Sequence, residues 1–173
     1  SGTLYTATRF MSAAHCLDGR SAGSVKVAFG PSETSWTHVI AVRRVAVHPD
    51  YNDMLGARPS DIAYVELEGP AVGIDPISAN VEPIAGREGE YWLFMGYGVD
   101  QKFNNKKGRV KWIGAGTKRS VSLPIAHIYD ARGEFDFYAQ DTGQAEAGNT
   151  CYGDSGGPAL ALDSLGTEVV MGT

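Results

Sequence analysis

Thiols, long apolar runs and surplus positive charge are all scarce in this chain of 173 residues. Two cysteines, Cys16 and Cys151, are the whole thiol inventory, too few for a disulfide-dense scaffold. The longest apolar stretches, such as Tyr91–Met95, are far too short for a helix that crosses a bilayer. Lys plus Arg is 15 against 20 Asp plus Glu, a net charge of −5, so no basic footprint for nucleic acid or an anionic membrane is present. Residues 1–12 carry no charged segment followed by an apolar one, so no signal peptide is expected within this sequence. Helical periodicity is also nearly missing. Charged residues are 20% and apolar residues 43% of the chain, which places it among globular proteins rather than disordered ones.

What the chain has instead is turns and short strands. Glycine occurs 22 times and proline 8 times, without period, which excludes collagen and disfavours a helical bundle. Between the turns lie runs rich in β-branched and aromatic residues: 3–8, 25–29, 38–47, 62–67, 91–97, 109–113, 135–139, 158–162 and 168–171. In Ile62–Leu67 alternate residues suit a core while Glu66 suits water. One short helix is expected near Ala13–Leu17. This spacing predicts an all-β protein, a sandwich or a pair of barrels. The segment 69–83, with Gly69, Pro70, Gly73, Pro76 and Pro83, reads as a linker between halves at 1–68 and 84–173. Lys102, Lys106 and Lys107 fall in an Asn-rich stretch that reads as a solvated loop.

The most informative stretch is Gly153-Asp154-Ser155-Gly156-Gly157-Pro158. A serine framed by glycines can sit on a sharp turn with its hydroxyl exposed, and the glycines let backbone N–H groups approach a carbonyl. The N–H groups of Gly153 and Ser155 would then form an oxyanion hole. A plain glycine-rich turn is the competing reading, and the string also fits the looser serine elbow of α/β-hydrolases. A serine needs a base to take its proton, and that base needs an acid to hold its tautomer. Four histidines are available: His15, His38, His48 and His127. His15 follows Ser12-Ala13-Ala14, small residues that allow close packing; His38 and His48 fall in or beside a strand pattern, and His127 in a mixed segment. Asp61, immediately before Ile62–Leu67, suits the orienting acid, whereas Asp50 and Asp53 lie in a Pro/Asn turn.

Chain order discriminates among these arrangements. No histidine follows Ser155, which removes the α/β-hydrolase order. An Asp-His-Ser order needs Asp18 before His38 or His48, neither of which has a comparable setting. The order His15, Asp61, Ser155 remains. On these three segments, Ser12–Cys16, Asp61–Ala63 and Gly153–Pro158, the chain resembles the trypsin/chymotrypsin-type serine proteases. Val47–Asn52 and Phe94–Gly98 are similar to further segments of that family, so the likeness runs along nearly the whole chain.

The resemblance implies two antiparallel six-stranded β-barrels, with His15 and Asp61 on the first and Ser155 on the second. It implies a serine endopeptidase acting through an acyl-enzyme, with polypeptide substrates, protein inhibitors as further partners, a monomeric state, no cofactor and no metal (Glu33 is the lone acid of 31–36). Asn149 would lie at the base of the specificity pocket and Tyr152 at its entrance; an uncharged Asn149 disfavours a strong preference for Lys or Arg. Asp154 matches the aspartate that receives the activated N-terminus in the family. Compared with the family the chain looks cut at both ends, so Cys16 and Cys151 are expected to pair with cysteines outside this sequence rather than with each other. Such pairing implies a secreted or periplasmic protein. A binding protein that keeps the fold without catalysis, or an inactive zymogen, is the alternative.

Overall fold

The computed structural model describes residues 1–52, 54, 60–104, 110–131, 134–139 and 149–173. Five strands build a first antiparallel sheet: β1 (Thr3–Thr6), β2 (Arg9–Ser12), β3 (Lys26–Phe29), β4 (His38–Val47) and β5 (Ala63–Leu67), in the order β1-β2-β5-β4-β3. A one-turn helix, α1 (Ala14–Leu17), follows β2 directly. The second half holds β6 (Tyr91–Gly96), β7 (Gln101–Asn104), β8 (Val110–Ile113), β9 (Arg119–Ala131), β10 (Glu134–Ala139), β11 (Ala159–Leu162) and β12 (Glu168–Gly172). Five of these form a second sheet in the order β10-β9-β6-β11-β12, while β7 and β8 pair as a separate ribbon. The all-β class holds. The two larger sheets contain five strands each among the described residues, consistent with the two-part β fold that the resemblance implied.

Alternation explains the first sheet. In β5, Ala63, Val65 and Leu67 are buried while Tyr64 and Glu66 are half-buried on the other face. The buried set meets Leu4, Leu17, Val27 and Val42 in one cluster. Full burial of a side chain such as Val65 contributes on the order of 1.5–3 kcal/mol. Outward-facing residues pair across strands: Arg43 donates to the Glu66 carboxylate, and the Arg9 guanidinium lies 5.7 Å from the Tyr64 ring centre.

The second sheet is built around Trp92, which is fully buried beside Ile84, Ile125 and Ala159. The Phe137 ring meets it edge-on at 5.0 Å. Trp92 donates its indole N–H to Glu90 at 3.1 Å, and Glu90 in turn pairs with Arg87. The long strand β9 joins two ladders: residues 119–124 pair with β6 and residues 125–131 with β10. Pro124, which cannot donate to a ladder, stands where the pairing changes partner.

Three departures from the sequence reading concern local structure. The run at 3–8 is a strand, a turn at Ala7–Thr8 and the start of a hairpin, because Thr6 Oγ1 accepts the Thr8 N–H and substitutes for the usual turn residues. Residues 119–131 form the longest strand although none was expected there. Lys102 belongs to strand β7, with its ammonium 5.9 Å from the centre of the Trp112 ring, and not to a loop. Lys106, Lys107 and Asp53 lie outside the described residues.

Candidate active site

His15 is the second residue of α1. A helix start leaves backbone N–H groups without intrahelical partners, and Ala13 at the cap position has no side chain that can accept one. Asp61 supplies the acceptor from elsewhere in the chain. Its Oδ1 takes the His15 backbone N–H at 2.8 Å and its Oδ2 lies 2.7 Å from the ring Nδ1. One carboxylate therefore fixes both the main chain and the ring of the same histidine. Asp61 reaches this position because it sits two residues before β5, and β5 lies beside β2, the strand that leads into α1. Ser60, just before it, takes a positive φ of 57°, so the chain bends sharply into the aspartate. Ala14, fully buried, packs the helix onto the sheet beneath.

Ser155 comes from the other half and is exposed. Its turn is pressed against the segment that carries His15. A β-carbon on Gly156 would stand 2.2 Å from Ser12 Oγ and 2.8 Å from the Ala13 nitrogen, contacts that no side chain tolerates. Gly156 also has φ +78°, so glycine is required twice over. Ser155 O accepts from the Ser1 nitrogen at 2.7 Å and lies 3.9 Å from Cys16 Sγ, one residue beyond His15. Ser1 O in turn accepts the Ser12 hydroxyl at 2.8 Å. The three residues singled out from sequence are thus gathered at one junction. Between His15 and Asp61 the contact is direct; between Ser155 and His15 it runs through neighbouring backbone, and no hydrogen bond joins the Ser155 hydroxyl to the imidazole among the described residues. General-base hydrogen bonds are commonly long until substrate is bound.

The turn before Ser155 is held by Asp154. Its Oδ1 accepts the Gly98 N–H at 2.8 Å and its Oδ2 accepts the Cys151 N–H at 2.9 Å. Its backbone closes two further turns, Asp154 N to Cys151 O at 3.0 Å and Gly157 N to Asp154 O at 2.8 Å. The carboxylate lies where a β-carbon of Gly96 or Gly98 would stand, at 2.0 and 2.6 Å, so both glycines are needed to admit it. Gly153 adopts φ +95°. Among the described residues neither the Gly153 N–H nor the Ser155 N–H is taken by another backbone carbonyl.

The remaining sequence candidates have local roles. Asn149 is exposed, and its Oδ1 accepts the Thr150 N–H at 2.8 Å. It lines a cavity of about 410 Å³ together with Cys151, Asp154, Trp112 and Arg119. Tyr152 is 71% exposed and meets Trp112 edge-on at 5.6 Å. Cys16 and Cys151 do not pair with each other. His38 bonds Thr37, His48 accepts the Asp50 N–H, and His127 stacks near Tyr129. Glu33 N bonds Gly116 O, and no cluster of acids, histidines and cysteines suited to a metal occurs among the described residues.

Sequence reasoning missed the segment Gly98–Asp100 and Arg119, which support the serine turn from behind. The closely spaced Gly96 and Gly98 were the available signal, since paired glycines mark a close approach.

The molecule is thus an antiparallel all-β framework that carries a carboxylate-held histidine on one half and a glycine-framed serine on the other. Residues 1–172 match the trypsin family model, and the chain belongs to that family. It is 30% identical to fibrinolytic enzyme isozyme C of Lumbricus rubellus, over 97% of this chain and 72% of that protein. It is 26% identical to a trypsin of Saccharopolyspora erythraea, over 95% of this chain and 71% of the relative. Family membership supports a serine protease, hence a hydrolase of polypeptides.

Proposed function

We propose that this chain is a serine endopeptidase in which Ser155 is the nucleophile, His15 the general base and acid, and Asp61 the residue that orients His15. The observation that carries this reading is the double hold of Asp61 on His15 at the point where the Ser155 turn is seated. With Nδ1 held by the carboxylate, Nε2 is the ring nitrogen free to accept a proton. Ser155 Oγ attacks the scissile carbonyl carbon while its proton passes to His15 Nε2. The carbonyl oxygen becomes an oxyanion that the N–H groups of Gly153 and Ser155 receive. Breakdown transfers the proton from His15 to the leaving amine and breaks the C–N bond. Water, deprotonated by the same imidazole, then releases the acyl group.

In this reading residues 1–68 and 84–173 act as two arms, joined by 69–83, that bring base and nucleophile together. Asn149 and Tyr152 border the site of the substrate side chain, and an uncharged asparagine favours polar or medium-sized apolar groups over Lys or Arg. Family likeness supports a secreted or periplasmic location. The test is labelling with a fluorophosphonate, followed by peptide mapping. One adduct on Ser155, abolished in Ser155→Ala, is the expected result. A folded chain that takes no label, or labels equally in Ser155→Ala, overturns the assignment and favours a binding protein or a zymogen.

A further inference from the structure

Arg119 opens β9, on the far side of β6 from the serine turn, yet its guanidinium ties together the segment that supports that turn. One nitrogen, Nη2, pairs with Asp100 Oδ2 at 2.7 Å. The other, Nη1, donates to Gly114 O at 2.8 Å, Thr117 O at 3.2 Å and, more weakly, Gly98 O at 3.4 Å. Around this fork the backbone closes two more bonds, Gly116 N to Tyr97 O at 2.7 Å and Asp100 N to Ile113 O at 3.1 Å. Gly114 leaves room for the Asp100 carboxylate, which lies within 1.6 Å of where a β-carbon would stand.

The other edge of the same 97–100 segment faces the candidate oxyanion site. Gly98 N–H holds Asp154. Val99 N–H donates to Tyr152 O at 2.9 Å. That second bond matters because Tyr152 O and the Gly153 N–H belong to one planar trans peptide and point in opposite directions. Pinning the oxygen aims the N–H. The position of Val99 therefore decides where the Gly153 donor points, and Arg119 with Asp100 brackets Val99 on both sides.

We propose that Arg119 is a positioning residue for the oxyanion site, acting through Gly98, Val99 and the Tyr152–Gly153 peptide. It touches no reacting atom. Arg is required rather than Lys because four acceptors are spread around one planar fork. This inference rests on the serine-protease reading above. A misaimed donor weakens transition-state binding more than substrate binding, so the loss falls on kcat.

The experiment compares wild type with Arg119→Met, Arg119→Lys and Asp100→Asn. Steady-state hydrolysis of a peptide ester should show kcat reduced about tenfold to a hundredfold in Arg119→Met with KM within about twofold. Arg119→Lys, which keeps the charge opposite Asp100, should recover part of the loss. Asp100→Asn should add little when combined with Arg119→Met, because both act on one element. Amide hydrogen exchange reads the clamp without any catalysis: residues 151–155 should exchange about tenfold faster in Arg119→Met while Trp92 and its neighbours in β6 do not. Unchanged exchange at 151–155, unchanged kcat, or a change confined to KM overturns the proposal. If wild type itself fails to label at Ser155, the functional reading falls, and the exchange comparison still decides whether Arg119 positions this turn.

Discussion

Replacing Asp61 by asparagine tests the candidate site at its most constrained point. The two carboxylate oxygens of Asp61 have different donors, the His15 backbone N–H on Oδ1 and the ring Nδ1 on Oδ2. An asparagine offers only one oxygen. The backbone N–H can only donate, so it keeps the oxygen, and the amide NH₂ turns toward Nδ1. The imidazole must then accept at Nδ1 and carry its proton on Nε2. In the proposed mechanism that places a hydrogen where a lone pair is needed to receive the serine proton. The geometry survives and the chemistry does not. In Ser–His–Asp sites this exchange lowers kcat by about 10⁴, or about 5 kcal/mol in activation free energy. The backbone bond is retained, so stability should fall by only about 1.5–3 kcal/mol for one charge-assisted hydrogen bond. That amounts to a Tm change of roughly 3–12 °C for a chain of this size. The assay is burst and steady-state hydrolysis of an activated peptide ester near neutral pH, alongside thermal unfolding. Combining Asp61→Asn with His15→Ala should slow the enzyme no further than His15→Ala alone. Asp61→Asn with kcat within tenfold of wild type would refute the reasoning.

Two further outcomes concern the framework. Trp92→Ala should destabilise the second half by about 3–5 kcal/mol, since the indole is fully buried and meets Phe137 edge-on, and denaturant unfolding at constant m-value would measure it. The hydrogen bond from Arg87 is the main cause holding the Glu90 carboxyl below its ordinary value of 4.5. A depressed carboxylate stabilises the fold above 4.5 and loses that contribution as pH falls below it, so the acid-side decline in Tm should flatten in Arg87→Met; an unchanged pH profile would count against this pairing.

Much of the site was readable from sequence because its parts are short, local and chemically unusual. Gly153–Pro158 needs glycine at 156 for both φ and clearance, so the residues announce the turn. Asp61 was legible from its place just ahead of an alternating strand. The support behind the turn was not, because Gly98, Asp100 and Arg119 acquire meaning only once β6 and β9 are paired, with Gly96 opposite Arg119. The strand β9 was hidden by Pro124, which argues against a strand unless the ladder changes partner there. The β1–β2 turn was hidden because Ala7 and Thr8 carry none of the usual turn chemistry. Strand spacing suggested a sandwich or a pair of barrels; which strand neighbours which is a matter of long-range pairing and left no local trace.

Gly156 separates two halves that each have their own core. Its clearance against Ser12 and Ala13 is smaller than a methyl group. The alignment of His15 and Ser155 is therefore a matter of fit between two bodies with separate cores, like the gap in a hinge. A wedge one carbon thick at this joint would leave both cores packed and both motifs intact in sequence. It would still hold Ser155 away from His15. An inactive variant of this chain need not be an unfolded one.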